Sequence, residues 1–265
     1  MRRRDLLVGA AALGMASPLA ACATGAASTV SPGAAMGGGD DDAHLAAMLE
    51  RHAQALRAEE GGGDRLADYS LAARARHGQA TAQRLAELRA VNRAALSAAA
   101  ALDYDTARFV YEAMADQYGR YGFSDINLRP SPYVVSQMNG AYYWLPDGIG
   151  GRSPMKSAAD ADRYLDKLNQ FAVALDQETE QIGHDAGLGV IPPDFILAKT
   201  LAQIAALRDA SSTGNALTAP ALERAREAGI AGLHTRAAAI VADRTRPALP
   251  RHSEALAGLQ PRAAA

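Results

Sequence analysis

The sequence lacks most of the residue patterns on which catalytic sites are built. Its 265 residues include a single cysteine, Cys22, so no disulfide can form within the chain. None of its six histidines belongs to an H-E-x-x-H pattern, in which two imidazoles one helical turn apart bind zinc. The nucleophile motif G-x-S-x-G, the phosphate-binding loop and the dinucleotide fingerprint are missing as well. We therefore predict no catalytic residue, no metal and no other cofactor in this chain.

The chain also lacks a strong charge of one sign. Its 27 Lys and Arg residues and 29 Asp and Glu residues leave a formal net charge of −2. Proteins that bind nucleic acid usually carry a basic surface that neutralises phosphates, and none of the usual nucleic-acid motifs occurs here. We therefore predict no nucleic-acid partner.

The start of the chain is typical of an export signal. Arg2–Arg4 precede an apolar stretch, residues 6–19, that is shorter than the roughly 20 strongly apolar residues of a membrane-spanning helix. Within the basic group, Arg3 and Arg4 resemble the twin-arginine pattern. The sequence therefore predicts that residues 1–21 are an export signal peptide.

Cys22 stands directly after this signal. The sequence Leu-Ala-Ala-Cys at 19–22 resembles a bacterial lipobox, in which the cysteine is acylated and becomes the first residue of the mature protein. We predict lipid attachment at Cys22, which would anchor the exported protein in the cell envelope, facing the periplasm. A chance cysteine after an ordinary signal peptide remains the alternative. Residues 22–43 are rich in glycine without periodic apolar positions, which predicts a flexible tether.

The rest of the chain has the pattern of amphipathic helices. Apolar residues recur every three or four positions from residue 44 onward. This spacing predicts an all-α fold, a multi-helix bundle formed by one domain over 44–265. Asp103 or Asp105 is expected to cap a new helix, and Gly183 is expected to end one. A last long helix is expected over 222–241.

One stretch departs from the helical pattern. Most aromatic residues lie between Tyr104 and Trp144, where prolines bracket the sequence SPYVVSQMNGAYYWLP. We predict an aromatic-rich irregular loop over about 128–156, set in the best-packed part of the bundle. Its side chains could orient a ligand at the rim of a cleft, or could equally hydrogen-bond the loop's own backbone. The candidate ligand-facing residues are Ser136, Gln137, Asn139, Tyr142, Tyr143 and Trp144.

Three segments in order carry a resemblance to a known family. They are YVVSQMNGAYYWLPDGI at 133–149, DADRYLDKLNQFAVALDQ at 160–177 and GLGVIPPDFIL at 187–197. Together they resemble the N-terminal half of the DUF885 family, over residues 45–260. The resemblance implies an exported or lipid-anchored helical bacterial protein of a kind regarded as zinc-peptidase-like. The family's metal-binding signature, H-E-x-x-P-G-H, lies in the second half of such proteins and is missing from this sequence, so no catalytic or metal residue is assigned here.

Two functional hypotheses follow from the resemblance. In the first, the chain is a truncated peptidase-like protein whose helices form one wall of a cleft, and zinc belongs only to a separate catalytic half. Its partners would be peptides, that half and the membrane, and surfaces meant for the missing half would remain as exposed apolar patches. In the second, the chain is a stand-alone helical module that binds or scaffolds other components of the envelope. The first hypothesis is favoured.

Overall fold

The structure, a computed structural model, describes residues 39–61, 64–123 and 132–264. Several predicted features lie outside the described residues: the signal peptide 1–21 with Arg3 and Arg4, the lipid attachment site Cys22, and most of the tether.

The described residues fold into helices, which confirms the predicted all-α class. No strand occurs in the described ranges, where one isolated bridge joins Ser136 and Asn139. None of the described helices is long and apolar enough to cross a bilayer. The α-helices are α1 (Gly39–Glu59), α2 (Leu71–Arg89), α3 (Ala98–Arg120), α4 (Ala141–Pro146), α5 (Ala158–Gly187), α6 (Asp194–Asp209), α7 (Ala219–Glu227), α8 (Leu233–Ile240) and α9 (Arg246–Ala257). Shorter turns are 3-10 helical at Arg93–Ala95 and Gln260–Arg262 and π-helical at Asp147–Gly151 and Val241–Thr245.

The described residues divide into two compact units. The first contains residues 39–58 and 83–112, and the second contains the remaining described residues. In the first unit the buried His52 is held from both sides, with Nε2 2.9 Å from Glu87 Oε2 and Nδ1 3.2 Å from the Tyr111 hydroxyl. The buried apolar side chains of this unit include Leu45, Met48, Leu49, Leu85, Leu88, Tyr104 and Tyr111.

The second unit is built around the long helix α5. Helices α4, α8 and α9 pack against α5, and α9 also packs against α6. Ser157 caps the start of α5, where its hydroxyl accepts a hydrogen bond from the Asp160 amide at 3.2 Å. The core of this unit includes Tyr164, Leu168, Phe171, Leu175, Ile182, Leu197, Ile204, Leu217, Leu249 and Leu256.

Two predicted helix boundaries are wrong. Helix α3 runs without a break through Asp103 and Asp105, because Asp105 does not cap a helix and instead accepts a hydrogen bond from Arg93 Nε at 2.8 Å. Helix α5 continues past Gly183, since a glycine can also adopt ordinary helical angles, and ends only at Gly187.

Two further boundaries also differ from prediction. The helix expected over 222–241 is divided between α7 and α8, because Gly229 and Gly232 have φ values of 69° and 76° in the left-handed region that ends helices. The last residues of the predicted tether, 39–43, belong to α1. Aspartates fill the first turn of that helix, where carboxylates interact favourably with the helix dipole.

Candidate functional site

The aromatic segment, defined as residues 132–151, begins with a turn that its own polar groups close. Ser136 and Asn139 exchange two backbone hydrogen bonds of 3.0 and 3.1 Å. The side-chain amide of Asn139 donates to the carbonyl oxygens of Val134 at 2.9 Å and Tyr133 at 3.3 Å. Short polar side chains readily form such local bonds because they reach neighbouring backbone groups. The turn is followed by α4 and by the π-helical turn that ends the segment.

Glu178 of α5 fixes the start of α4. This residue is only 2% exposed, and both of its carboxylate oxygens lie 2.8 Å from the backbone nitrogen of Ala141. Gly140, directly before α4, has a φ of 116°, a conformation that side-chain-bearing residues rarely adopt. Hydrogen bonds to ionised acceptors are stronger than neutral ones. Glu178 therefore ties the aromatic segment to the central helix.

The Tyr142 hydroxyl makes a second attachment. Its oxygen lies 2.7 Å from the Ser136 carbonyl oxygen and 2.7 Å from Oε1 of Gln203 on α6. A hydroxyl has one proton, so it donates to one of these oxygens at a time. Burial raises the pKa of Tyr142, and the nearby Glu178 carboxylate adds to the shift. The hydroxyl therefore remains protonated at neutral pH and links the turn to α6.

His252 of α9 is fully buried beside Tyr142, with ring centroids 6.5 Å apart. Its Nδ1 lies 3.0 Å from the Thr179 hydroxyl, which itself donates to the Leu175 carbonyl at 2.7 Å. Since that hydroxyl proton is used, Nδ1 must carry the imidazole proton. Nε2 is then the unprotonated nitrogen; it lies 4.0 Å from Glu178 Oε2 and has no hydrogen-bond partner among the described residues. Burial lowers the pKa of His252 to about 4, so the ring is neutral at pH 7.

Two large apolar side chains of the aromatic segment face solvent. Met138 is 64% exposed and Trp144 is 37% exposed. Trp144 is held in place by two contacts. Its Nε1 donates to Asn139 Oδ1 at 3.2 Å, and the Tyr143 ring packs edge-on against it with the ring centroids 4.9 Å apart. The segment thus combines a fixed backbone with exposed apolar side chains, an arrangement that can bind a ligand by apolar contact.

The structure places the candidate ligand-facing residues in different surroundings. Ser136, Asn139 and Tyr142 are buried, and each takes part in the hydrogen bonds described above. Tyr143 and Gln137 are half-buried, and Gln137 Oε1 has no hydrogen-bond partner within the described ranges. Contact of these residues with a ligand stays a prediction.

The sequence prediction missed Glu178 and His252. Glu178 falls between Leu175 and Ile182 on the apolar face of α5, and His252 has the same spacing between two leucines of α9. An ionisable residue at a core position of an amphipathic pattern is the signal that could have found both, because such a group must acquire partners when it is buried. Within residues 39–61, 64–123 and 132–264, no group of three or more His, Cys, Asp or Glu residues is arranged to hold a metal ion.

Comparisons with known proteins identify the family. Among curated proteins no match is found. Among solved structures, one described as "the putative lipoprotein from Colwellia psychrerythraea" aligns with a TM-score of 0.74 at 17% identity, over 84% of this chain and 42% of that protein. The likeness shows a shared fold, and this chain spans less than half the length of that protein. The family model described as "bacterial protein of unknown function (DUF885)" matches residues 52–265, and the chain therefore belongs to the DUF885 family.

Proposed function

We propose that this DUF885 protein is exported, is anchored in the cell envelope by lipid at Cys22, and binds peptides at the aromatic segment. One observation carries the proposal: Glu178 fixes the backbone of the segment at Ala141, while Met138 and Trp144 face solvent. Aromatic and methionine side chains are enriched at binding surfaces, because they bury a large area. A surface that is already ordered loses less conformational entropy when it binds.

An extended polypeptide suits this surface better than a compact ligand. The exposed apolar side chains of the second unit lie on several elements rather than in one deep pocket; they include Tyr121, Met138, Trp144, Val173, Leu188 and Phe195. Scattered exposed apolar side chains are ordinary on a protein surface, so the proposal rests on Met138 and Trp144, which lie on one ordered segment and can contact successive positions of a peptide. The resemblance to zinc-peptidase-like proteins supports the same class of ligand.

Peptide-bond cleavage belongs, in this proposal, to a separate catalytic half and not to this chain. Hydrolysis needs a Lewis acid or a nucleophile to lower its barrier. The H-E-x-x-P-G-H signature that the resemblance implies for such proteins belongs to their second half, where zinc would bind. The chain spans 42% of the length of the Colwellia protein, which leaves room in such a protein for a separate catalytic half.

Peptide binding can be followed through Trp144, because it is the only tryptophan in the chain. We expect mixed peptides of eight to ten residues, added to the purified mature protein, to change the Trp144 emission in a saturable way. Met138→Ser should weaken binding, since it removes an exposed apolar contact. Leu102→Ser is the matched control: Leu102 is 67% exposed, close to the 64% of Met138, but lies outside the aromatic segment. Equal affinity in both variants, or unchanged emission with every peptide, contradicts the proposal and favours a stand-alone envelope scaffold.

A separate experiment tests whether this chain cleaves peptides by itself. We expect the purified chain, supplied with zinc, to leave a mixed peptide library uncleaved, as judged by mass spectrometry. Cleavage that a chelator abolishes would show that this chain holds its own metal site and would overturn the assignment to a separate half.

A further inference from the structure

A second polar site lies near the end of α5, at Asp185. The residue is 3% exposed. Its Oδ1 is already occupied, because it lies 3.0 Å from His184 Nδ1 and 4.0 Å from Arg74 NH1. Its Oδ2 is buried and has no hydrogen-bond partner among the described residues. A buried carboxylate oxygen without a partner is costly, so this atom needs an explanation.

Asp185 lines a small, partly open pocket whose cavity volume is about 10 Å³. This volume is close to the minimum that one water-sized group requires, so only the head group of a ligand fits inside. The remaining walls are mainly apolar and include Val135, Ile182, Val190, Leu256 and Leu259. The pocket therefore offers one anionic acceptor at a site that is otherwise suited to hydrocarbon.

We propose that this pocket binds a primary ammonium group, R–NH₃⁺, which donates a hydrogen bond to Asp185 Oδ2 while its aliphatic stem lies against the apolar side chains at the open mouth of the pocket. The proposal rests on the peptide binding proposed above and names the part of the peptide that would be recognised. An ammonium group has about the size of a water molecule and has only donors, which matches a lone carboxylate acceptor. Alkyl stems next to a charged head pack well on apolar surface.

Other ligand classes fit the pocket less well. An anion would face the Asp185 carboxylate, and a divalent cation would find one available oxygen among otherwise apolar walls. The guanidinium group of Arg74 does not replace the ligand, because its contact is with Oδ1 and its NH2 donates to the Tyr121 carbonyl at 2.8 Å. Burial raises the pKa of Asp185, and a bound cation would oppose that shift by stabilising the ionised form.

The ammonium group could come from the amino terminus of a peptide or from a lysine side chain. The first probe is methylammonium, titrated into the mature protein by calorimetry, because it contains the ammonium group without a peptide. Tetramethylammonium, which cannot donate a hydrogen bond and is too large, should not bind. A lysine-free peptide with a free amino terminus and an N-acetylated peptide that contains lysine then distinguish the two sources.

Two variants test the role of Asp185. Asp185→Asn keeps the shape and removes the charge, and it should weaken methylammonium binding at least tenfold. Val190→Leu keeps the carboxylate and fills the pocket, so it should abolish binding even if the Asn variant folds poorly. Asp166→Asn, at an exposed position of the same helix, should bind as the parent does. If methylammonium does not bind, or binds equally to all variants, the pocket holds only water and the proposal is wrong. Peptides that still change Trp144 emission in that case would leave the proposed function standing.

Discussion

Both carboxylate oxygens of Glu178 lie 2.8 Å from the backbone nitrogen of Ala141. This contact joins the middle of α5 to the first residue of α4, 37 positions earlier in the chain. A buried carboxylate requires such donors, because ionised groups lose their hydration on burial. The position of the aromatic segment thus depends on Glu178, an acidic residue on the otherwise apolar face of α5.

Replacing Glu178 should loosen this attachment. In Glu178→Gln the charge-assisted bond to Ala141 becomes a neutral one, and we expect the free energy of unfolding to fall by about 1–1.5 kcal/mol, the usual difference between hydrogen bonds to charged and to neutral groups. Trp144 emission should move towards that of an exposed indole, because the segment that carries Trp144 becomes less ordered. Urea unfolding followed by circular dichroism and by fluorescence measures both effects.

Glu180 provides the control for this experiment. It lies on the same helix at an exposed position, so Glu180→Gln should change stability by less than about 0.5 kcal/mol. If Glu178→Gln is instead as stable as the parent, the desolvation of the carboxylate offsets its hydrogen bonds, and Glu178 does not hold the segment.

The sequence alone was enough to predict an all-α fold, because the spacing of the apolar residues in α5 identifies the buried face of the helix. It was less informative about where the helices end. Gly183 and Gly229 are the same residue type, yet only Gly229 adopts a positive φ, so residue type alone does not locate the end of a helix. The polar contacts of the aromatic segment show the same limit of sequence reasoning. Asn139 bonds to nearby backbone, as its residue type suggests, whereas Glu178 comes from a distant part of the chain.

His252 should make stability depend on pH. Burial lowers the pKa of His252 in the folded state to about 4, below the ordinary histidine value of 6.5, so the unfolded chain binds a proton that the folded chain excludes. The contribution of the neutral ring is fully present above pH 6.5 and is lost as the pH falls towards 4. The loss over this window is on the order of 3 kcal/mol. Urea unfolding at a series of pH values between 7.5 and 4.5 measures it.

His252 can be replaced by a residue that still donates a hydrogen bond to Thr179 but does not titrate. In His252→Asn the side-chain amide can still donate to Thr179, but the site no longer titrates, so the slope of stability against pH should become shallower even though the smaller side chain lowers stability overall. His234→Asn is the control, since His234 is exposed. A slope that His252→Asn leaves unchanged would assign the pH dependence to other groups.

The proposed lipid attachment at Cys22 predicts where the protein is found. In cells that process bacterial lipoproteins, Cys22→Ser should abolish labelling with a fatty acid and move the protein from the detergent phase to the aqueous phase, because the acyl chains supply the membrane affinity. Replacing Arg3 and Arg4 by lysine should instead retain the protein inside the cell, since we predict that these residues belong to a twin-arginine export signal. Labelling that persists in Cys22→Ser would show that the lipid is attached elsewhere.

Gly150 and Gly148, two positions apart in the π-helical turn, should respond oppositely to alanine. A Cβ at Gly150 would lie 2.0 Å from the Ala216 carbonyl oxygen and 2.8 Å from the carbonyl carbon of Leu217, so the backbone must move. We expect Gly150→Ala to destabilise the fold by about 1–3 kcal/mol, as overpacking does. Gly148→Ala has nothing within 4 Å of its Cβ and should be neutral or stabilising by up to about 1 kcal/mol, because alanine favours helical angles. Thermal unfolding of the two variants compares them directly, and equal melting temperatures would contradict the close approach at Gly150.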